Sequence, residues 1–111
     1  MEPARLVPRF ALRALGATIA SIAALSAPTH AADIAKGQRI YSMHCAACHG
    51  PTGLAVMPGA PNFARNERLL QPDMSLLMSV RTGRNAMPAF MGILNDREIL
   101  DVIAYLRTLF R

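Results

Sequence analysis

The sequence predicts an all-α fold with three to four helices in one small domain. Apolar residues recur at intervals of three and four through much of the chain after residue 33, which is the period of an amphipathic helix. Residues that commonly cap helices stand where these stripes begin. Alternating apolar and polar residues, the pattern of a half-buried strand, form no run long enough to indicate one.

Residues 1–32 have the features of a secretory signal peptide that is removed. Three positive charges lie near the start, on Arg5, Arg9 and Arg13. An uncharged run rich in Ala, Leu and Ile follows over residues 14–27, and small residues come after it. The pattern predicts export, cleavage near Ala31 or Ala32, and a mature periplasmic domain over residues 33–111. The alternative is an uncleaved membrane anchor, but the apolar run is shorter than the ~20 residues that span a bilayer.

The charge balance of residues 33–111 argues against a strongly basic binding surface. Nine Lys and Arg stand against six Asp and Glu, which gives a net charge of +3. The higher charge of the full chain comes partly from the arginines of the leader. We therefore predict no nucleic-acid partner, and contact with a membrane only if the leader stays uncleaved.

The first predicted helix begins after Asp33, whose side chain can cap it. Ile34, Gly37 and Tyr41 follow at spacings that place them on one face. Glycine inside a helix costs about 1 kcal/mol relative to alanine. Gly37 therefore indicates that another helix approaches the backbone closely there.

Residues 50–66 predict an irregular loop, because glycine and proline recur throughout that segment. Loops of this length without regular structure usually have a function such as wrapping a ligand. A second helix is predicted from Pro72-Asp73 to a cap at Gly83. Residues 83–94 then form another loop.

The last predicted helix begins at Asn95, and Glu98 three residues later completes a capping-box pattern. An apolar stripe at helical spacing follows, which we expect to lie on the buried face. The stripe consists of Ile99, Val102, Ile103, Leu106, Leu109 and Phe110.

Cys45, Cys48 and His49 form a Cys-x-x-Cys-His motif, the attachment signature of c-type haem. Two thiols three positions apart can bond to the two vinyl groups of one porphyrin. The adjacent imidazole of His49 then supplies one axial ligand to the iron. The motif predicts one covalent haem c, which would also staple a domain too short for a large core.

Three other interpretations account for the two cysteines less well. A thioredoxin-like redox pair belongs beside a βαβ pattern, which the sequence lacks. A disulfide would leave the adjacent His49 unexplained. A zinc site would draw all its ligands from one short segment, whereas structural zinc sites use two separated segments. Its ligands would be His44, Cys45, Cys48 and His49.

The ligand on the other face of the iron decides between electron transfer and binding of small molecules. The candidates are Met43, Met57, Met74, Met78, Met87, Met91, His30 and His44. Met43 and His44 lie too near the attachment motif to reach the opposite face. The two methionines of the second helix fit a core stripe, the common role of methionine, and His30 leaves with the leader.

Met57, Met87 and Met91 remain as candidate sixth ligands. Met87 follows Cys48 by 39 positions and lies in a loop between two helices. The adjacent Pro88 restrains the backbone beside it, which favours one position of the sulfur. We therefore predict Met87 as the second axial ligand.

Across essentially all of residues 33–111 the sequence resembles the small bacterial class I cytochromes c. The matching residues are Gly37, Tyr41, Cys45 to Gly50, Pro61-Asn62-Phe63, Gly83, Met87 to Phe90, Glu98-Ile99 and Tyr105-Leu106. The resemblance implies a small cytochrome c fold whose helices wrap around one covalently attached haem. It also implies that the first and last helices cross at Gly37, Tyr41 and Tyr105.

The same resemblance implies roles for two loop residues. Met87 with its following proline is similar to the sixth-ligand motif of that family. Pro61 matches the family's loop proline, whose carbonyl bonds to the second ring nitrogen of the axial histidine. In this chain that bond would orient His49 and raise its basicity.

Together these features predict a periplasmic one-electron carrier with His49 and Met87 as axial ligands. No acid–base or nucleophilic constellation appears in the sequence, so we predict that the protein is not an enzyme. Redox partner proteins would dock transiently at the haem edge, and basic side chains favour an acidic partner. These side chains are Arg39, Arg65, Arg81 and Arg84.

Two alternatives to a free carrier remain at this point. The first alternative is a haem c subunit of a larger periplasmic oxidoreductase complex. The second is a gas or redox sensor whose sixth iron ligand is labile.

Overall fold

The computed structural model describes residues 3–4 and 30–111, so most of the predicted leader lies outside the described residues. Within them the chain is helical and forms no strand. The helices are α1 (Ile34–His44), α2 (Ala46–His49), α3 (Asp73–Thr82) and α4 (Asp96–Leu106), with a 3₁₀ helix at Phe63–Arg65. The predicted all-α fold is confirmed. In the same residues, no helix is long and apolar enough to cross a membrane.

The predicted helix starts are confirmed by their capping bonds. The carboxylate of Asp33 accepts a hydrogen bond of 2.9 Å from the N–H of Lys36 at the start of α1. At α4, the side chain of Asn95 accepts from the N–H of Glu98 at 2.9 Å, and the Glu98 carboxylate accepts from the N–H of Asn95 at 3.1 Å. These bonds satisfy N–H groups that have no partner inside the helix.

α1 crosses α4 at Gly37, as the sequence indicates. A Cβ at this position would overlap the backbone carbonyl of Asp101, so only glycine allows so close an approach. The rings of Tyr41 and Tyr105 pack beside the crossing with centroids 5.3 Å apart. α3 also packs against α4, and the core lies between these helices. Its buried apolar residues are Ile40, Tyr41, Phe63, Leu69, Leu76, Leu77, Phe90, Leu94, Ile99, Val102, Ile103, Tyr105, Leu106 and Leu109.

The two methionines of α3 do not fill the core, and that expectation is wrong. Met74 is 63% exposed and Met78 is 48% exposed, whereas Leu76 and Leu77 are buried. α3 therefore buries only a narrow apolar stripe against the rest of the domain. The methionines lie outside that stripe, where much of each side chain is in contact with solvent.

Two further expectations need correction. Phe110 is 58% exposed because α4 ends at Leu106 and the chain no longer follows the helical period. The loop predicted over residues 50–66 is not wholly irregular, because it contains the 3₁₀ helix Phe63–Arg65.

Candidate haem-binding site

A cavity of about 760 Å³ lies among α2, α3, α4 and the loops that join them. This volume is within the range of about 300–1,000 Å³ that is common for small-molecule and cofactor sites. Most of its wall is apolar. Apolar lining side chains include Leu69, Leu76, Phe90, Leu94, Val102, Ile103 and Leu106. Cys45, Cys48, His49 and Met87 line the same space, so the structure brings the predicted attachment and ligand residues together.

Cys48 and His49 lie in α2, and Cys45 directly precedes it. All three side chains thus lie within about one helical turn. The N–H of His49 donates to the carbonyl of Cys45 at 2.9 Å. The helix ends at Gly50, whose φ of +79° suits glycine. There the Tyr41 hydroxyl donates to the Gly50 carbonyl at 2.6 Å. The buried Tyr41 thus ties the end of the attachment helix to α1.

The surroundings of the thiols disfavour two of the alternative interpretations. Cys45 and Cys48 are half-buried and carry free thiols. Burial first, and the neighbouring Cys48 second, raises the pKa of Cys45 to about 11. The thiol is then neutral at physiological pH, whereas thiol–disulfide exchange uses the thiolate. Among the described residues, no three His, Cys, Asp or Glu side chains converge as the ligands of a metal ion would.

His49 is buried and held on two sides. Its ring stacks on Phe63 with centroids 4.5 Å apart and an interplanar angle of 22°. Its Nδ1 lies 3.4 Å from the carbonyl oxygen of Pro61. Burial lowers the pKa of His49, and the Pro61 carbonyl opposes this by a smaller amount. A neutral ring that donates from Nδ1 leaves Nε2 as the nitrogen with a lone pair for a metal.

The loop that carries Pro61 is fixed by side-chain bonds to its backbone. The side chain of Asn62 accepts a hydrogen bond of 2.7 Å from the N–H of Ala55. The N–H of Asn62 in turn donates to the carboxylate of Glu67 at 2.8 Å. The residue after Pro61 is therefore anchored on both sides, which restricts where the Pro61 carbonyl can point.

Met87 lies on a tight turn between α3 and α4. The backbones of Arg84 and Met87 bond in both directions, with N–O distances of 3.0 and 2.9 Å. After the turn, the N–H of Phe90 donates to the Val80 carbonyl at 3.1 Å, which attaches the loop to α3. Met87 is half-buried and packs against the core. Its backbone is thus held while its side chain lines the cavity.

The other candidate ligands are placed less favourably. Met57 lines the cavity but is 40% exposed, and Met91 is 60% exposed and outside it. Met43 is 70% exposed and also outside. His44 lines the cavity from an exposed position at the end of α1, with its ring centroid 6.0 Å from that of Phe90.

Comparison with known proteins agrees with the haem-binding site that the geometry indicates. A family model described as cytochrome c oxidase, cbb3-type, subunit III matches residues 32–106. Cytochrome c6 of Synechococcus sp. is 44% identical over 85 residues, which cover 73% of this chain and 74% of the relative. Cytochrome c6 of Thermosynechococcus vestitus is 42% identical over 91 residues, covering 78% of this chain and 80% of the relative.

A solved structure extends the similarity to the fold. Cytochrome c6 from the diatom Phaeodactylum tricornutum superposes with a TM-score of 0.59 and 34% sequence identity, covering 68% of this chain and 92% of that one. The chain belongs to the monohaem class I cytochrome c family. The predicted resemblance is thereby confirmed.

Membership of this family gives the cytochrome one covalently bound haem c and makes it an electron carrier, not an enzyme. The chain's own residues fit that group. Two free thiols and an imidazole whose pKa is lowered by burial lie within about one turn of the chain, and an apolar cavity extends from them. The predicted cofactor is confirmed on these grounds.

Two features of the cytochrome's cavity were not predicted from the sequence. One is the stacking of Phe63 on His49, for which the aromatic residue two positions after Pro61 was an available signal. The other is Arg68, which is exposed and lines the cavity, as Arg84 does. Arg68 has a left-handed backbone with φ of +65°, and nothing in its local sequence indicates that conformation.

Proposed function

We propose that this cytochrome c is a periplasmic one-electron carrier whose iron is ligated by His49 and Met87. The observation that carries the proposal is that both side chains line one apolar cavity from separate segments of the chain. His49 comes from α2, and Met87 comes from the loop between α3 and α4. Haem, when bound, supplies an iron that accepts and releases one electron.

The residues around the two proposed ligands support electron transfer because they limit movement. Pro61 orients His49 through Nδ1, and Phe63 stacks on the ring. The paired backbone of Arg84 and Met87 holds the residue that would supply the second ligand. Ligands that stay in place during a change of oxidation state need little reorganisation, and the mostly apolar wall would limit the access of water to a bound haem.

The ligand assignment is tested by comparing Met87→Ala with the control Met57→Ala. A sulfur–iron bond gives the oxidised protein a weak near-infrared band, which we expect M57A to keep and M87A to lose. M87A should also bind carbon monoxide or azide and have a lower midpoint potential, because a ligand that favours ferrous iron is gone. A band kept in M87A and lost in M57A would contradict the assignment. No band in the wild type, together with fast carbon monoxide binding, would favour a sensor over a carrier.

Export is the second part of the proposal. The charge pattern, apolar run and small residues of positions 1–32 support cleavage near Ala31 or Ala32. Covalent attachment of haem through two cysteines agrees with a compartment outside the cytoplasm. N-terminal sequencing of protein from the periplasmic fraction tests this, and a chain that retains Met1 would support an uncleaved anchor instead.

The proposed partners are redox proteins that dock transiently at the opening of the cavity. Arg68 and Arg84 line the cavity, and no described carboxylate lies within 4.0 Å of either side chain. Arg81, by contrast, pairs with Asp96 at 3.3 Å. Two positive charges beside the site favour an acidic docking surface on the partner.

A second candidate function is a haem c subunit of a larger periplasmic oxidoreductase complex. The description of the matching family model, an oxidase subunit, favours it. Purification of the tagged protein from its native cells at low detergent concentration separates the two cases. Other polypeptides in a fixed ratio would indicate a subunit, and a lone cytochrome in the periplasmic fraction would indicate a free carrier.

A further inference from the structure

Asp101 is a buried carboxylate for which the electron-carrier function has no use. It lies in α4 and is 2% exposed. Among the described residues it is the one buried carboxylate. Its Oδ1 accepts a hydrogen bond of 2.8 Å from the backbone N–H of Asp33. The Nε of Arg97 lies 3.8 Å from the same oxygen, but the Arg97 side chain is 46% exposed. Burying a charge with so little compensation is costly.

The donor to this carboxylate is the residue at which the mature chain is expected to start. Asp33 directly follows the proposed cleavage region at Ala31 and Ala32. It is also the cap of α1, and the crossing at Gly37 fixes the start of α1 against α4. The backbone nitrogen of Asp33 therefore has a defined place beside Asp101.

We propose that Asp101 is the binding site for the amino terminus of the mature protein. A signal peptidase would hydrolyse one peptide bond with one water, so that the leader leaves with a new carboxylate and the mature chain keeps a new amine. That amine takes up a proton at neutral pH, since α-amino groups titrate near 7.7–8.0. The resulting ammonium pairs with Asp101. The inference rests on the leader removal proposed above.

The two expected cleavage positions place the new charge at the contact with Asp101 or one residue before it. Cleavage after Ala32 turns the Asp33 nitrogen, already 2.8 Å from Oδ1, into the ammonium. Cleavage after Ala31 places the ammonium on Ala32, one residue before that contact. Neighbouring Cα atoms are about 3.8 Å apart, so this ammonium remains close to Asp101. In both cases the Ala31 carbonyl, which accepts a bond of 2.8 Å from Arg97, is removed. Arg97 then retains Asp101 as its described partner.

The other charges near this contact are already engaged. The Asp33 carboxylate accepts from the Lys36 N–H as the helix cap. The Lys36 ammonium pairs with Glu98 at 3.4 Å. The new ammonium thus meets Asp101 without displacing another ion pair. A hydrogen bond between charged groups stabilises more than one from a neutral amide, so the α1–α4 crossing is tighter in the mature protein than in the precursor.

The sequence allows an experiment that modifies the amino terminus alone. Lys36 is the one lysine of the chain, so the mature Lys36→Arg holoprotein has the terminus as its single amine and keeps a cation opposite Glu98. The protein is acetylated in denaturant and refolded with its haem still attached. Urea titration then compares acetylated and free forms. Acetylation should raise the unfolding equilibrium constant about tenfold, and it should have little effect when Asp101→Asn is added.

A second measurement does not depend on folding of D101N. Ala31, Ala32 and Asp33 are all exposed residues, although the Asp33 nitrogen itself lies in a part-buried contact with Asp101. Pairing should make acetylation of the folded K36R protein several-fold slower than acetylation in denaturant. Equal rates, no change in stability, or an equal change in the D101N background would each overturn the inference. The intact mass distinguishes failure of this pairing from failure of export. A retained leader refutes both proposals, whereas a chain that starts at Ala32 or Asp33 leaves the export proposal standing.

Discussion

Gly83 lies directly against the carbonyl of Met87. A Cβ on Gly83 would be 2.8 Å from that oxygen and 2.7 Å from the nitrogen of Ala89. The φ of Gly83 is +77°, a conformation that residues with side chains rarely adopt. The end of α3 is thus shaped by a residue whose missing side chain makes room for the loop that carries the proposed ligand.

Gly83→Ala should therefore move Met87 as well as destabilise the fold. A backbone with φ of +77° and ψ of +165° costs a residue with a Cβ about 1–3 kcal/mol, and overlap with the loop adds about 1–3 kcal/mol. The matched control is Gly92→Ala, because Gly92 has φ of +82° but a Cβ added there would have nothing within 4 Å. Urea unfolding and the near-infrared band are measured for both. Loss of the band in G92A, or its full retention in G83A with equal stability, would contradict the argument.

Gly37→Ala should weaken the crossing of α1 and α4. Alanine favours a helix over glycine by about 1 kcal/mol, but its Cβ would overlap the Asp101 carbonyl. The helices must separate, so we expect a net loss of about 1–3 kcal/mol in the free energy of unfolding. Gln38→Ala is the control on the next, exposed position of α1. Equal stability of G37A and Q38A by urea titration would disprove the tight crossing.

Tyr41 should make the protein less stable in alkali. Burial is the main cause that raises the pKa of Tyr41 to about 12, whereas a tyrosine in the unfolded chain titrates near 10. Ionisation then favours the unfolded chain, so this contribution to stability is complete below pH 10 and is lost as the pH rises towards 12. Tyr41→Phe should be less stable at pH 9, because the bond to Gly50 is absent, and should lose less stability between about pH 9 and 11.5. Parallel urea midpoints for the two proteins would refute this.

Arg68 and Arg84 should accelerate electron transfer to anionic reagents. The probes are hexacyanoferrate(III), which is an anion, and a cationic cobalt(III) complex of similar size. Arg84→Gln and Arg68→Gln should each slow oxidation by the anion about twofold at low ionic strength, speed oxidation by the cation, and have little effect at high salt. Arg39→Gln is the control, since Arg39 does not line the cavity. An equal effect of R39Q would show that net charge, not position, governs the rate.

The parts of the fold that follow from local chemistry were predictable. Asp33, Asn95 and Glu98 cap helices through atoms a few positions away in the chain, so their pattern carries the information. Gly37 was informative for a different reason, because glycine is costly inside a helix unless a neighbour requires it. The attachment motif was readable because its three side chains occur within five consecutive residues.

The parts that depend on contacts between distant segments were harder to predict. Met74 and Met78 have the apolar character of core residues, but which face of α3 is covered is decided by the placement of α4 and the cavity. Phe63 meets His49 only after the loop has folded back over α2. Asp101 stands within an apolar stripe, and the backbone N–H that it accepts from is 68 positions away in the chain.

The two parts of the site respond differently when the protein partly unfolds. The attachment motif spans five consecutive residues, whereas Met87 comes from a distant loop. Cys45, Cys48 and His49 remain next to the cofactor in any conformation, because they are neighbours along a covalently joined segment. Met87 keeps its place only while residues 83–94 stay folded between α3 and α4. With Met87 as the ligand, opening of that one loop would vacate a coordination position without releasing the haem. The near-infrared band would then report local unfolding of the loop before the helices separate.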